Sequence, residues 1–178
     1  PRSTRLYSSA AAEVYKRQAE HEGPVYLRFG RPKVANFTSD KLGFKIGKGI
    51  ILSPGKDVTI AATGHLVWEA LLAAEVLELD GITAEVINIH TIKPLDEALI
   101  LESVQKTGAI VTAEEHNYLG GLGESIAGAL SKKHPTPQEY VATQDTFGES
   151  GTPTKLMEKY GINKNAIVNA SKRVIERK

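Results

Sequence analysis

The stretch from Gly108 to Gly123, GAIVTAEEHNYLGGLG, limits what this chain can fold into more than any other. Ala109, Ile110, Val111 and Thr112 suit a strand covered on both faces, as in a parallel sheet. Glu114, Glu115 and His116 follow where that strand would emerge, and Gly120, Gly121 and Gly123 then turn the chain into a helix starting near Glu124. Ligands of open parallel sheets lie outside the carboxyl ends of the strands. His116, Gly120, Gly121 and Gly123 therefore mark a candidate ligand or interface corner.

The same rhythm surrounds that stretch. Thr83–His90 reads as a strand, Leu95–Thr107 as a helix, Ala109–Glu114 as a strand and Leu122–Lys133 as its helix, and this alternation requires parallel pairing. Upstream, the apolar runs Ile50–Leu52 and Val58–Ala62 are joined by SPGKD, whose length and Pro-Gly pair predict a hairpin of antiparallel strands. His65–Leu79 follows as a helix with an apolar stripe through Leu66, Trp68, Leu71, Leu72, Val76 and Leu77, stopped by Asp80-Gly81; Trp68 is assigned to the core. Glu139–Thr143 is the last strand, after the HPTP breaker, with helices near Pro153–Tyr160 and Asn163–Arg177. The expected fold class is α/β, a three-layer mixed, mostly parallel five-stranded sheet flanked by helices.

The amino-terminal end reads differently. Within residues 1–18, SSAAAEVYKRQ is similar to translated adapter sequence, so the segment is set aside as non-native; the competing reading is a native amphipathic helix. Residues 19–31 contain VYLRF, a short strand at 25–29 behind a Gly23-Pro24 turn. It has no partner strands nearby and reads as the end of a domain whose earlier part is missing. Residues 32–49 form a linker, and residues 50–178 the compact domain.

Composition removes several function classes. In 178 residues, 22 basic side chains face 21 acidic ones for a net charge of +1, so no global field favours nucleic acid or a membrane as partner. Zero cysteines exclude thiolate catalysis and cysteine metal sites and fit a reducing compartment, so a cytoplasmic location is expected. No apolar run approaches the roughly 20 residues needed to cross a bilayer.

Each motif has a plain structural alternative. Gly121-Leu122-Gly123 lacks the third glycine of a dinucleotide fingerprint, and no P-loop is present. His116 beside Glu114 and Glu115 could ligate a metal or move a proton, yet a lone imidazole is more often a structural hydrogen-bonder. GESGTP, at 148–153, could bind an anion ahead of the following helix, or simply enter that helix with Thr152 as cap. There is no G-x-S-x-G elbow and no H-E-x-x-H helix. Arg31 closes the 25–29 strand at Gly30-Arg31-Pro32, where a guanidinium fork could grip an anionic substrate or remain an ordinary surface charge.

From Gly23 onward, GPVYLRFGRP, FKIGKGI, VTIAATG, VINIHTIKPLD, VTAEEHNYLGGLGESIA and DTFGESGTPTKLMEKYGI occur in the order found in transketolases. The chain resembles their C-terminal part, most closely the separate C-terminal subunit of split enzymes. The resemblance implies a transketolase C-terminal-domain-like fold preceded by a remnant of the pyrimidine-binding domain. It also implies thiamine-diphosphate-dependent transfer of a two-carbon ketol unit between sugar phosphates. Thiamine diphosphate and magnesium would then belong to the complete enzyme, a homo-oligomer, and none is expected to bind this chain alone. The missing parts would be an N-terminal transketolase polypeptide or upstream domains. Of the family's functional residues only Arg31 carries over, as the arginine that contacts the substrate phosphate; no catalytic, cofactor or metal residue does. Deoxyxylulose-phosphate synthase and the pyruvate dehydrogenase beta subunit share the fold, and a noncatalytic assembly or ligand-sensing module is a further alternative.

Overall fold

The computed structural model describes residues 21–26, 37 and 42–178. The chain divides into two units, Pro1–Lys45 and Ile46–Lys178. In the first, Val25 and Tyr26 are exposed and lie outside any strand. The segment 1–18, positions 27–29 of the expected strand, Arg31, and residues 32–36 and 38–41 of the expected linker fall outside the described residues.

The second unit runs β1 (Ile50–Ser53), β2 (Val58–Ala62), α1 (Leu66–Leu79), β3 (Ala84–Asn88), α2 (Glu97–Thr107), β4 (Ile110–Asn117), α3 (Leu122–Lys133), β5 (Gln138–Thr143), α4 (Pro153–Lys159) and α5 (Lys164–Ile175). The strands form one five-stranded sheet in the order β1-β3-β2-β4-β5. All neighbours are parallel except β1 and β3. Helices α1 and α5 pack together over one side of the sheet, while α2 and α3 pack together against β2 and β4. The mixed, mostly parallel α/β sheet expected from the sequence is thus present.

The expected hairpin is not. β1 pairs with β3, Ile50 opposite Asn88 and Ile51 opposite Ile87, and β2 lies on the far side of β3. The reason is burial: every residue of β2 is buried, so it takes a central place between β3 and β4. SPGKD crosses the start of β3 instead of turning back. A Cβ on Gly55 would lie 2.2 Å from the Ala84 carbonyl carbon. Asp57 fastens the crossing by accepting the Thr83 backbone N–H at 2.8 Å and its hydroxyl at 2.6 Å. Those two bonds hold the Asp57 carboxyl below its ordinary range.

Helix α1 ends as the glycine signal predicts. Gly81, at φ 76°, donates its N–H to the Glu78 carbonyl, and Ile82 reaches back to Leu77. Its buried face differs from the expected stripe: Leu66, Val67, Ala70, Ala73 and Leu77 face the core, whereas Trp68, Leu71, Leu72 and Val76 are only half buried. The small alanines let α1 lie close to its neighbours. On the other side, Ile100 and Val104 of α2 and Leu122, Ile126 and Leu130 of α3 close over Ala61, Ile87 and Ile110. Each such side chain contributes about 1.5–3 kcal/mol by leaving water.

A buried carboxylate, Glu85, sits at the amino-terminal end of β3, 1% exposed. It accepts the Ser103 hydroxyl at 2.6 Å and pairs with Lys106. Thr59 joins Ser103 at 2.6 Å and Thr107 at 2.7 Å, so α2 is stitched to β2 and β3 through a satisfied polar network. Among the described residues, no helix is long and apolar enough to cross a membrane.

Candidate functional site

The glycine corner lies where β4 leaves the sheet and α3 begins. Glu114, 1% exposed, turns inward and accepts the N–H groups of Leu122 and Gly123, each at 2.8 Å. Those are otherwise unpaired donors of the first helical turn, at the positive end of the helix dipole. The corner is therefore already filled by the chain's own carboxylate.

Three glycines make this possible for three different reasons. Gly120 adopts φ 74°, a left-handed turn, and donates its N–H to Glu124 at 2.7 Å. Gly121 has no room for a side chain, since a Cβ would stand 2.1 Å from Glu114 Oε2. Gly123 lies under an aromatic ring, with Tyr140 Cδ1 2.4 Å from where its Cβ would be. The close approach that a dinucleotide motif gives to a pyrophosphate is here given to a glutamate and a tyrosine.

Beyond Glu114 the pairing of β4 with β5 slips between Ala113 and Asn117, and the polar side chains separate. Glu115 Oε2 meets His65 Nδ1 at 3.0 Å. The Glu115 hydrogen bond raises the His65 pKa above its ordinary 6.5, against the opposing effect of burial. His116 is exposed, with Nδ1 2.8 Å from the Asn117 carbonyl oxygen. Asn117 itself donates to Asp145 at 2.8 Å. His116 and Glu114 thus serve different partners and do not form an acid/base pair.

Beside the corner, along β5 and just beyond the end of β4, is an open cleft of about 400 Å³ lined by Tyr118, Glu124, Glu139, Tyr140 and Gln144. Burial, then the charges of Glu124 and Glu114, push the Tyr140 hydroxyl above its ordinary pKa of 10.0. Further along, Thr152 precedes α4 without a side-chain cap bond. The GESGTP loop is fastened instead by Lys159 on Glu149 at 2.6 Å and by the Tyr160 hydroxyl on the Phe147 carbonyl at 3.1 Å. Phe147 is 100% exposed.

Arg31 lies outside the described residues. Sequence reasoning found the three glycines but missed the reason for two of them, Glu114 and Tyr140. The available signal was an acidic residue ending a buried strand shortly before Gly-Leu-Gly. It also missed the cleft, whose side chains come from separate elements.

Thiamine diphosphate and magnesium, which the resemblance brings, do not fit the described residues. Among these, no group of three or more His, Cys, Asp or Glu is placed to hold a metal, and the α3 amino terminus that could face a phosphate holds Glu114.

Comparison with known proteins bears on the whole chain. The family model of the transketolase C-terminal domain matches residues 47–167. The 6-deoxy-6-sulfo-D-fructose transketolase subunit SqwH of Clostridium sp. (strain MSTE9) is 48% identical over 158 residues, 89% of this chain and 49% of that protein. A 1-deoxy-D-xylulose-5-phosphate synthase of Desulforudis audaxviator is 34% identical over 162 residues, 89% of this chain and 26% of its own length. Among solved structures, a split-gene transketolase described as an inactive beta4 tetramer superposes with TM-score 0.89 at 44% identity, covering 95% of this chain and 56% of that one. The chain spans about half the length of the subunit and of the tetramer's chain.

Proposed function

This chain belongs to the transketolase family through its C-terminal domain, and from that premise we propose that it is the C-terminal part of a thiamine-diphosphate-dependent transketolase. The complete enzyme transfers a two-carbon ketol unit from a ketose phosphate to an aldose phosphate. The observation that carries this reading is the 48% identity to a transketolase subunit across 89% of the chain. The family resemblance assigns the diphosphate and its metal to an N-terminal polypeptide or upstream domains, and the α3 amino terminus filled by Glu114 supports that reading. When bound there, the cofactor would supply the carbanion stabilisation that ketol transfer needs. The role left to residues 46–178 is assembly with those parts, in a homo-oligomer. The cysteine-free composition keeps the cytoplasm as the proposed location.

The same relative supports a second substrate reading. Its name specifies a sulfonated ketose, so the donor of this enzyme could end in a sulfonate where a phosphate is usual. Arg31 is the proposed reader of either anion, through a bidentate guanidinium fork.

The test is reconstitution with an N-terminal transketolase polypeptide, thiamine diphosphate and magnesium. Ketol transfer is then followed from xylulose 5-phosphate and from 6-deoxy-6-sulfofructose. Turnover of the phosphate donor supports the first reading, and preference for the sulfonate supports the second. No turnover of either by a well-formed complex overturns the proposal. In the active complex, Arg31→Ala removes a charge-assisted contact of roughly 1.5–3 kcal/mol. That is about one to two decades in kcat/KM for the anionic donor. A nonphosphorylated ketose should be little affected; equal losses for both donor types would show that Arg31 supports structure only.

A further inference from the structure

We propose that the cleft formed by β5, the residue after β4 and the start of α3 binds a small organic cation, an alkylguanidinium or alkylammonium compound, against Tyr118, Tyr140 and the carboxylate of Glu124. It is an open depression of about 400 Å³ in which Glu124 and Gln144 are exposed and Tyr118 and Tyr140 half-buried.

The chemistry follows from which groups at the cleft are already committed. Gln144 donates its amide N–H to the Ala142 carbonyl at 2.9 Å, which leaves its Oε1 as an acceptor. Glu124 accepts the Gly120 N–H on Oε2, which leaves Oε1 and a full negative charge at the rim. Glu139 is neutralised differently, holding Arg173 at 3.1 Å and Arg177 at 2.5 Å on its two oxygens. Those arginines are thereby committed, and among the described residues no basic side chain lines the cleft.

What the lining still offers a ligand is a carboxylate, an amide oxygen and two tyrosine side chains. An anion would meet Glu124 without a counter-charge. A neutral ligand would use the acceptors but forgo the charge. A cation uses both, and gains cation–π attraction where it meets a tyrosine ring. A bare metal ion is a poor match, because no trio of metal-ligating side chains occurs among the described residues.

The pocket wall is also preformed. The Tyr140 ring rests on the backbone of Gly123, where even a methyl group would stand 2.4 Å from Cδ1. Binding would therefore not require that ring to be ordered first. The site stands on these side chains whether or not the chain takes part in ketol transfer.

The experiment titrates the full isotope-labelled chain with butylguanidinium and, separately, with butylurea, its neutral isostere, while backbone amide resonances are followed. Saturable shifts at Tyr118, Glu124, Tyr140 and Gln144 are expected with butylguanidinium, at roughly tenfold lower concentration than with butylurea. Glu124→Gln keeps an oxygen for Gly120 but removes the charge, and should weaken the guanidinium by about tenfold. Tyr118→Leu, which leaves the Gly123–Tyr140 contact alone, should weaken it as well. Shifts that do not saturate, equal affinity for the urea, or a response unchanged by both substitutions would overturn the proposal.

Discussion

Glu114 is the residue on which the glycine corner depends, because one buried carboxylate satisfies two backbone donors at once. Glu114→Gln keeps the shape but turns an NH2 group toward one of those N–H groups, leaving a buried donor unpaired at about 1–3 kcal/mol. Glu114→Ala strands both donors and opens a cavity, so its loss should be clearly larger in urea unfolding. The helix end would then be an unoccupied anion site. Sulfate should therefore stabilise Glu114→Ala more than it stabilises the parent protein. An equal response of the two would mean that the corner collapses when the carboxylate leaves. Gly121→Ala tests the same packing from the opposite side, since its methyl would enter the carboxylate at 2.1 Å. Overpacking of this kind costs about 1–3 kcal/mol.

At the scale of elements, two glycine substitutions should have opposite signs. Gly55→Ala would place a methyl 2.2 Å from both the Ala84 carbonyl carbon and the Glu85 nitrogen, backbone atoms of a buried strand that cannot give way. A loss at or above the upper end of the 1–3 kcal/mol range is expected, read as a lower urea midpoint. Gly128, in α3, has nothing within 4 Å of its would-be Cβ, so Gly128→Ala should raise stability by about 0.5–1 kcal/mol through helix propensity. The contrast explains what was legible in the sequence. The strand and helix alternation from Thr83 to Lys133 could be read because apolar spacing is a local signal, and the α1 stop at Gly81 because a left-handed cap is local too. The partner of β1 could not, because SPGKD resembles a hairpin turn and only the burial of all of β2 reveals that β3 must intervene. The corner was half legible for the same reason. Glycines announce themselves singly, whereas Glu114 and Tyr140 acquire their roles only when α3 and β5 return to β4.

For the molecule as described, every strand pairing among the described residues and all the buried hydrophobic side chains named above lie within Ile46–Lys178. A unit with its own core and its own five-stranded sheet meets the requirements for folding alone. Among the described residues, both edges of the sheet are strands of this unit, β1 and β5. A protein beginning at Ile46 should therefore unfold cooperatively, with a Tm within a few degrees of the full chain, since about 1 kcal/mol moves a domain of this size by roughly 2–8 °C. Deletion of residues 1–18 alone should change it less. A fall beyond about 10 °C, or loss of the cooperative transition, would instead mean that the amino-terminal residues supply part of the core. The full chain and the protein beginning at Ile46 also bear on function: neither should bind thiamine diphosphate at micromolar concentration, because the described residues lack a metal-holding group and the α3 amino terminus is filled by Glu114. Calorimetry showing tight binding to the full chain but not to the truncated one would move the cofactor site into residues 1–45, and binding to both would place it within the sheet domain and refute the assignment of that chemistry to a missing partner.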